Sequence, residues 1–400
     1  MSTFAALRAR NYRLYWFGLV CYVLGHRAEY VTFAWLVWEV TRDPLYLGYL
    51  GLAQGVPLVV FQLVGGVLAD RTDRLRLLIA TQSLTALTLV LALGLALVGE
   101  IRVGYLLALA ALSNTFRAFD EPSRLALVPQ LIDRERLPNA IALSSIPWQA
   151  GRMIGPSVTG ILIAAHGGTA GLALAALASG TALALYARLR VEAHVSVRDG
   201  RHPLDQFVEG LSFIAGNFVF AGLICLALFN ALFGLSYVTL LPVFADVYFR
   251  TGSTGYGLLN AAHGTGALIG TLTVATLAHL LRRPGTALLV TAAGMGLGLM
   301  AFAVSPGMGP AMPVLVLVGF ANTFYLTLVS TFIQQNVPDQ LRGRVLAVYS
   351  LCWNLLPLGG LIAGVLAAAV DARFAILVGG GLVAANALLL LTSRRLRAVA

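Results

Sequence analysis

Long apolar runs, each closed by a short cluster of charge, glycine or proline, repeat along nearly the whole chain. A run of about 20 apolar residues is what a helix needs to cross a hydrocarbon layer about 30 Å thick. Their positions predict twelve helical spans, at 14–38, 45–69, 76–98, 103–124, 137–166, 170–190, 217–247, 254–281, 285–305, 310–334, 341–370 and 373–393. Several exceed the minimum length, which implies tilt or overhanging ends. The longest polar stretch, 191–213, holds Glu192, His194, Arg198, Asp199, Arg201, His202, Asp205 and Glu209 and splits the spans six and six. Within it Pro203 starts an amphipathic helix through Leu204, Phe207, Val208 and Leu211, expected to lie along the membrane surface.

The second half repeats the first. Leu131 to Leu137 is echoed by Asn336 to Arg342, and Gly155 and Gly160 correspond to Gly359 and Gly364, an offset of about 204 residues. Parallel six-helix repeats are the build of a rocker-type transporter. The expected fold is therefore an all-α integral membrane protein of 12 transmembrane helices in two pseudo-symmetric bundles. These comprise 1–190 and 214–400, joined by a cytoplasmic linker over 191–213.

Composition agrees: 58% of residues are hydrophobic and 11% charged, too little charge to cover a soluble surface of this size. The net charge of +10 would suggest nucleic acid, but its placement argues for a membrane. All 27 basic residues are arginine. With the N-terminus inside, twenty fall in cytoplasmic segments, and only Arg42, Arg102, Arg250 and Arg373 fall opposite. That asymmetry puts both termini in the cytoplasm. Cys21, Cys225 and Cys352 lie far apart within spans and read as packing residues, without metal-ligand spacing.

Charge inside a span is expensive unless it meets a partner or water, so each such residue is a candidate. The first span carries His26, Arg27 and Glu29 near its middle. Tyr22, His26, Glu29 and Phe33, spaced four, three and four, share one helix face, while Arg27 points elsewhere. Glu29 either faces a solvated cavity or is held in an ion pair by an arginine of another helix. The fourth span ends in Ser113, Asn114, Arg117, Asp120, Glu121 and Arg124. Arg117 lies deep enough to pair with Glu29, whereas Asp120 and Glu121 suit an inner gate. In the second half the polar positions are aromatic and amide: Asn230, Phe233 and Tyr237, then Asn260, His263, Asn322 and Tyr325, then Trp353 and Asn354. These line a cavity or simply bond between helices.

Between the second and third spans runs Gly66-Val67-Leu68-Ala69-Asp70-Arg71-Thr72-Asp73-Arg74. It resembles the signature loop of the major facilitator superfamily, Gly-x-Leu-Ala-Asp-Arg-x-Gly-Arg-Arg/Lys, with Asp73 and Leu75 replacing the second glycine and the last basic residue. The fifth span carries Gly151-Arg152-Met153-Ile154-Gly155-Pro156-Ser157-Val158-Thr159-Gly160, similar to that family's antiporter motif, Thr159 replacing a glycine. Trp35 to Thr41, Gly65 to Arg71 and Leu137 to Ala140 look like its bacterial enterobactin-exporter and macrolide-efflux subgroup. Members of that subgroup often have an acid where His26 stands; here the acid is Glu29.

What the resemblance implies is alternating access around a central cavity lined by spans one, four, seven and ten. Export in exchange for protons follows from the fifth-span motif, with a drug or siderophore as the substrate type and the bacterial inner membrane as the location. In that reading Tyr22, His26, Glu29, Phe33, Asn114, Arg117, Asn230, Phe233, Tyr237, Asn322, Tyr325 and Trp353 line the substrate cavity. Glu29 and Arg117 couple the proton. Gly66, Asp70, Arg71, Arg74, Asp120, Glu121, Gly151, Arg152, Gly155 and Pro156 form the conformational gate. The expected partners are a small-molecule substrate, protons and lipid, with the chain a monomer and neither nucleic acid, metal nor cofactor beyond the proton gradient. An uptake symporter and a non-transporting receptor are the alternatives. Enzyme chemistry is not expected, since no nucleophile set, metal spacing or phosphate loop stands out.

Overall fold

The computed structural model describes residues 5–191, 203–277 and 283–397, without the side chains of 63, 64, 66, 67, 69–71, 125, 126, 203–208, 210, 339 and 340. Every regular element among the described residues is a helix. The elements are α1 (Arg10–Thr41), α2 (Pro44–Arg71), α3 (Arg74–Leu97), α4 (Val103–Leu127), α5 (Leu137–His166), α6 (Gly168–Tyr186), α7 (Pro203–Gly216), α8 (Phe218–Phe229) and α9 (Tyr237–Val243). They continue with α10 (Gly252–Leu277), α11 (Pro284–Ala303), α12 (Met308–Asn336), α13 (Asp339–Asn354), α14 (Leu356–Ala369), α15 (Ala372–Leu391) and α16 (Arg394–Arg397). The boundaries have local causes. Arg42 stops α1 in a left-handed conformation (φ 51°), its N–H donating to the Trp38 carbonyl at 2.8 Å, and Pro44 opens α2. Asp73 caps α3, accepting from the amides of Leu75 (2.9 Å) and Arg76 (3.1 Å).

Two predicted spans are not single α-helices. The 217–247 run is α8 and α9 joined and followed by π turns at Asn230–Gly234 and Phe244–Tyr248. The 341–370 run divides at Leu355, because Pro357 has no N–H with which to continue the ladder. By contrast α5 runs unbroken through Pro147 and Pro156, and α2 through Pro57.

Eight stretches of the described residues are long and apolar enough to cross a membrane, and α1, α4, α5 and α10 are not among them. Those four carry the polarity: Arg27 and Glu29 in α1, Arg117 to Arg124 in α4, Arg152 in α5, and Asn260 and His263 in α10. A helix that must hold charge loses mean hydropathy, so the same residues that weaken the membrane signal mark the candidate site.

The chain forms two compact units. Unit 1 holds Met1–Arg42, Leu52–Arg198 and Gly252–Leu258. Lipid offers helices no hydrophobic drive to associate, so small residues and polar bonds must hold them together. Tyr12 donates to the Ala140 carbonyl (2.7 Å), Trp16 to that of Leu143 (2.9 Å), and Gln82 to the Ser179 hydroxyl (2.8 Å). Bonds of this kind contribute about 0.6 kcal/mol each. A Cβ at Gly155 would stand 2.7 Å from that of Arg27, so the Gly-x-x-x-Gly face of α5 receives α1. Farther along α5, Gly160 meets Ser253 and Gly257 at the start of α10.

Unit 2 holds Asp43–Gly51, Asp199–Thr251 and Leu259–Ala400. Here Gly364 of α14 meets Pro44 and Gly48 at the start of α2, the counterpart of the Gly160 contact. Its packed interior includes Phe244, Phe249 and Phe302, the first and last with ring centroids 4.7 Å apart. The amphipathic helix expected from Pro203 is α7, but of its predicted apolar face only Leu211 has a described side chain, and it is exposed.

Candidate functional site

Three helices of unit 1 turn periodic stripes toward one cavity of about 570 Å³. From α1 come Tyr15, Leu19, Tyr22 and His26; from α4 Asn114, Arg117, Glu121 and Arg124; from α5 Leu137, Ile141, Ser144 and Trp148. Each set advances by three or four residues, the repeat of one helix face. Aromatic rings dominate one side, with Trp148 edge-on to both Tyr22 (6.0 Å) and His26 (6.4 Å).

Two arginines supply charge to this cavity, and each is matched by a buried acid. Arg117 donates to the Glu29 carboxylate and also contacts His26 Nδ1. Both members of the ion pair are nearly inaccessible, with side chains 8% and 2% exposed. Arg124 pairs with Asp120 one turn back along α4. Its guanidinium also lies over the Tyr22 ring, 3.4 Å from the centroid, and reaches the Tyr186 hydroxyl at 3.4 Å. A buried cation so enclosed by carboxylate and ring faces is strongly held. Glu121 stays exposed on the cavity lining.

Of the predicted α1 face, Tyr22 and His26 line the cavity, whereas Glu29 and Phe33 do not. Glu29 sits behind Arg117, and Phe33, farther toward the α1 C-terminus, is fully buried. Asn114 and Arg117 also line this cavity. Asp120, expected in an inner gate, pairs with Arg124 within its own helix. Gly66, Asp70 and Arg71 lie outside the residues with described side chains; Arg74, half-buried, opens α3. Gly151 and Gly155 pack against Val23 and Arg27 of α1, and the Pro156 carbonyl lies against Gly257 of α10. Arg152, expected as a buried charge, is exposed, because it is one position round the helix from the Gly151–Gly155 face that α1 covers.

In unit 2, Tyr237 is buried and its hydroxyl shares a 2.7 Å hydrogen bond with His263 Nδ1. Asn230 is 1% exposed in a π turn, both side-chain polar atoms without a partner among the described residues. A buried amide left unsatisfied in a π turn is a common mark of a functional position. Phe233 is half-buried beside Phe229 (5.6 Å). Asn322 is buried, Tyr325 is fully buried and so reads as packing, and Trp353 is exposed at 36%. Sequence reading passed over Tyr15, Ser144 and Trp148. Their signal was the unbroken three-four spacing of polar and aromatic positions in α1 and α5, masked by the apolar residues between them. No group of His, Cys, Asp and Glu among the described residues could hold a metal ion.

Comparison with known proteins places this geometry. The family model described as "Transmembrane secretion effector", a branch of the major facilitator superfamily, matches residues 1–399. The enterobactin exporter EntS of Escherichia coli O1:K1 is 28% identical over 312 residues, covering 76% of this chain and 73% of its own. That of Shigella boydii serotype 18 is 29% identical over the same shares. Among solved structures, a bacterial homolog of the human lysosomal transporter Spinster, inward-facing and unoccupied, superposes with a TM-score of 0.75 at 16% identity, over 97% of this chain and 98% of its own. The nucleoside transporter NupG gives 0.72 at 14% identity, over 96% and 98%. These likenesses give the fold. Multi-pass helices, polar side chains gathered in an intramembrane cavity and a family match over essentially the whole length agree: the chain belongs to the transmembrane secretion effectors of the major facilitator superfamily, membrane transporters rather than enzymes.

Proposed function

We propose that this protein exports a small organic molecule, a siderophore or a drug, across the bacterial inner membrane in exchange for protons. It works as a monomer of twelve membrane-spanning helices, with both termini in the cytoplasm and two six-helix halves that open the path alternately to either side. The observation that carries this reading is Arg117, which lines the cavity while it is tied to the nearly inaccessible Glu29 behind it. The enterobactin exporters among its relatives, and the antiporter-like motif in α5, support the direction.

The chemistry follows from the pair. While Glu29 is ionised it holds Arg117, and the two charges cancel in a low-dielectric site. A proton on Glu29 removes that hold and leaves Arg117 to its His26 contact and the cavity. Protonation and substrate then favour different conformations of the same helices, which is all that exchange requires.

The test is Glu29→Gln in proteoliposomes. Glutamine keeps an oxygen to accept from Arg117, so the protein should fold and elute as wild type, yet substrate-driven proton flux should vanish. Undiminished proton-coupled transport by this variant would move the coupling elsewhere. Counterflow in vesicles of known orientation separates export from uptake, and a receptor would give no substrate-dependent flux at all.

A further inference from the structure

Beyond Arg10 and Arg13 in the first turn of α1, the α1, α4 and α5 helices of unit 1 hold four arginines, Arg27, Arg117, Arg124 and Arg152, and among the described residues only two of these have acids. Glu29 is committed to Arg117 and Asp120 to Arg124. Arg27 and Arg152 have no carboxylate partner among the described residues. The Arg27 stem runs in the groove that Gly151 and Gly155 leave on α5, and its Nε is buried without a hydrogen-bond partner. Arg152 follows Gly151 directly in α5, so the packing of the Arg27 stem on Gly151 and Gly155 brings a second cation up to the first. Two adjacent guanidinium groups that repel one another in a membrane call for an anion.

Depth says where that anion comes from. Arg27 is about 25 Å from the start of α1 and about 21 Å from its end; Arg152 is about 22 Å and 21 Å from the ends of α5. Both therefore sit near the middle of a layer about 30 Å thick, well away from phospholipid headgroups. Arg152 is exposed on the α5 face that carries Ile141, Ser145 and Trp148 of the cavity wall, at i−11, i−7 and i−4. It lies on the stripe of Pro156 and Gly160, at i+4 and i+8, and that stripe is covered farther along by Ser253 and Gly257 of α10. Arg27 itself follows directly on His26 of the cavity wall.

We propose that Arg27 and Arg152 form an oxyanion-binding subsite, distinct from the Glu29–Arg117 pair, and that the exported molecule carries a carboxylate or an equivalent acidic group. This rests on the export reading only in taking the anion to be the cargo. The planar guanidinium fork suits a carboxylate in two-point contact, and Tyr22 and Trp148 nearby favour an aromatic body.

The test is calorimetric titration of the purified full-length protein in neutral detergent with salicylate, with neutral salicylamide and with the cation tetraphenylphosphonium. Salicylate should bind in preference to the other two. Arg27→Gln and Arg152→Gln should each weaken salicylate by about ten- to a hundredfold, the loss of a hydrogen bond to a charged group, and leave salicylamide unchanged. Arg27→Lys should keep part of the affinity. On the wild-type protein, added chloride should weaken salicylate and spare salicylamide, a readout that needs no variant to fold. Equal losses for salicylate and salicylamide, no salicylate binding by folded protein, or preference for tetraphenylphosphonium would overturn the subsite. A response confined to phosphatidylglycerol would overturn it too, by assigning the arginines to lipid. No gradient enters this titration, so it stands or falls separately from the proton-flux test of export.

Discussion

Arg117 answers two demands at once, since it neutralises Glu29 and presents its remaining donors to a cavity. Breaking such a pair from one side leaves an uncompensated buried charge, which costs about 3–5 kcal/mol. Arg117→Gln and Glu29→Gln should therefore each lower the melting temperature in detergent, although both variants still fold. The double variant Arg117→Gln, Glu29→Gln should recover much of the loss, because it removes both charges together. Additive losses would mean that the two side chains do not act as a unit. Arg124 shows the other solution to the same problem. Its acid and its ring faces lie close along one helix pair, so it is held in place and leaves nothing to switch.

At the scale of the element, Asp73 explains a departure from the family pattern. Where the signature loop has glycine, this chain has an N-cap that satisfies two free amides of α3. Asp73→Ala should destabilise the start of α3 by about 1 kcal/mol, whereas Asp73→Gly should cost only a few tenths. Hydrogen exchange at the Leu75 and Arg76 amides reads the difference directly, and equal protection in both variants would remove the cap from the account. The split of one predicted span into α13 and α14 has an equally local cause in Pro357, while α5 absorbs two prolines without breaking. Proline alone therefore does not set a helix end in this chain; the neighbours that rescue the freed carbonyl decide.

For the molecule as a whole, the proposed orientation and proton exchange predict a measurable direction of flux. In inverted vesicles, with the cytoplasmic face outward, adding substrate should release protons from the acid interior. A proton symporter would instead carry protons into the interior together with the added substrate, and a measured flux of that sign would replace export with uptake. The glycine contacts of Gly160 in unit 1 and Gly364 in unit 2 repeat one packing device at equivalent places.

Much of this protein is determined by local pattern. Helix positions follow from apolar run length, since only a helix of that length can satisfy its backbone inside lipid. The three-four spacing put Tyr22 and His26 on one face, and the expense of intramembrane charge singled out Glu29 and Arg117 before any fold was known. The tertiary structure alone decided which charges cancel. Glu29 and Arg117 are 88 residues apart, and nothing in either span states that α1 and α4 meet there. It also turned Asp120 toward Arg124, brought Trp148 of α5 into the cavity wall and left Arg27 and Arg152 without acids among the described residues. Spacing along a helix fixes direction around its own axis, but pairing depends on which helix lies opposite and at what height, a choice made by glycine contacts and packed rings that act only once the helices are together.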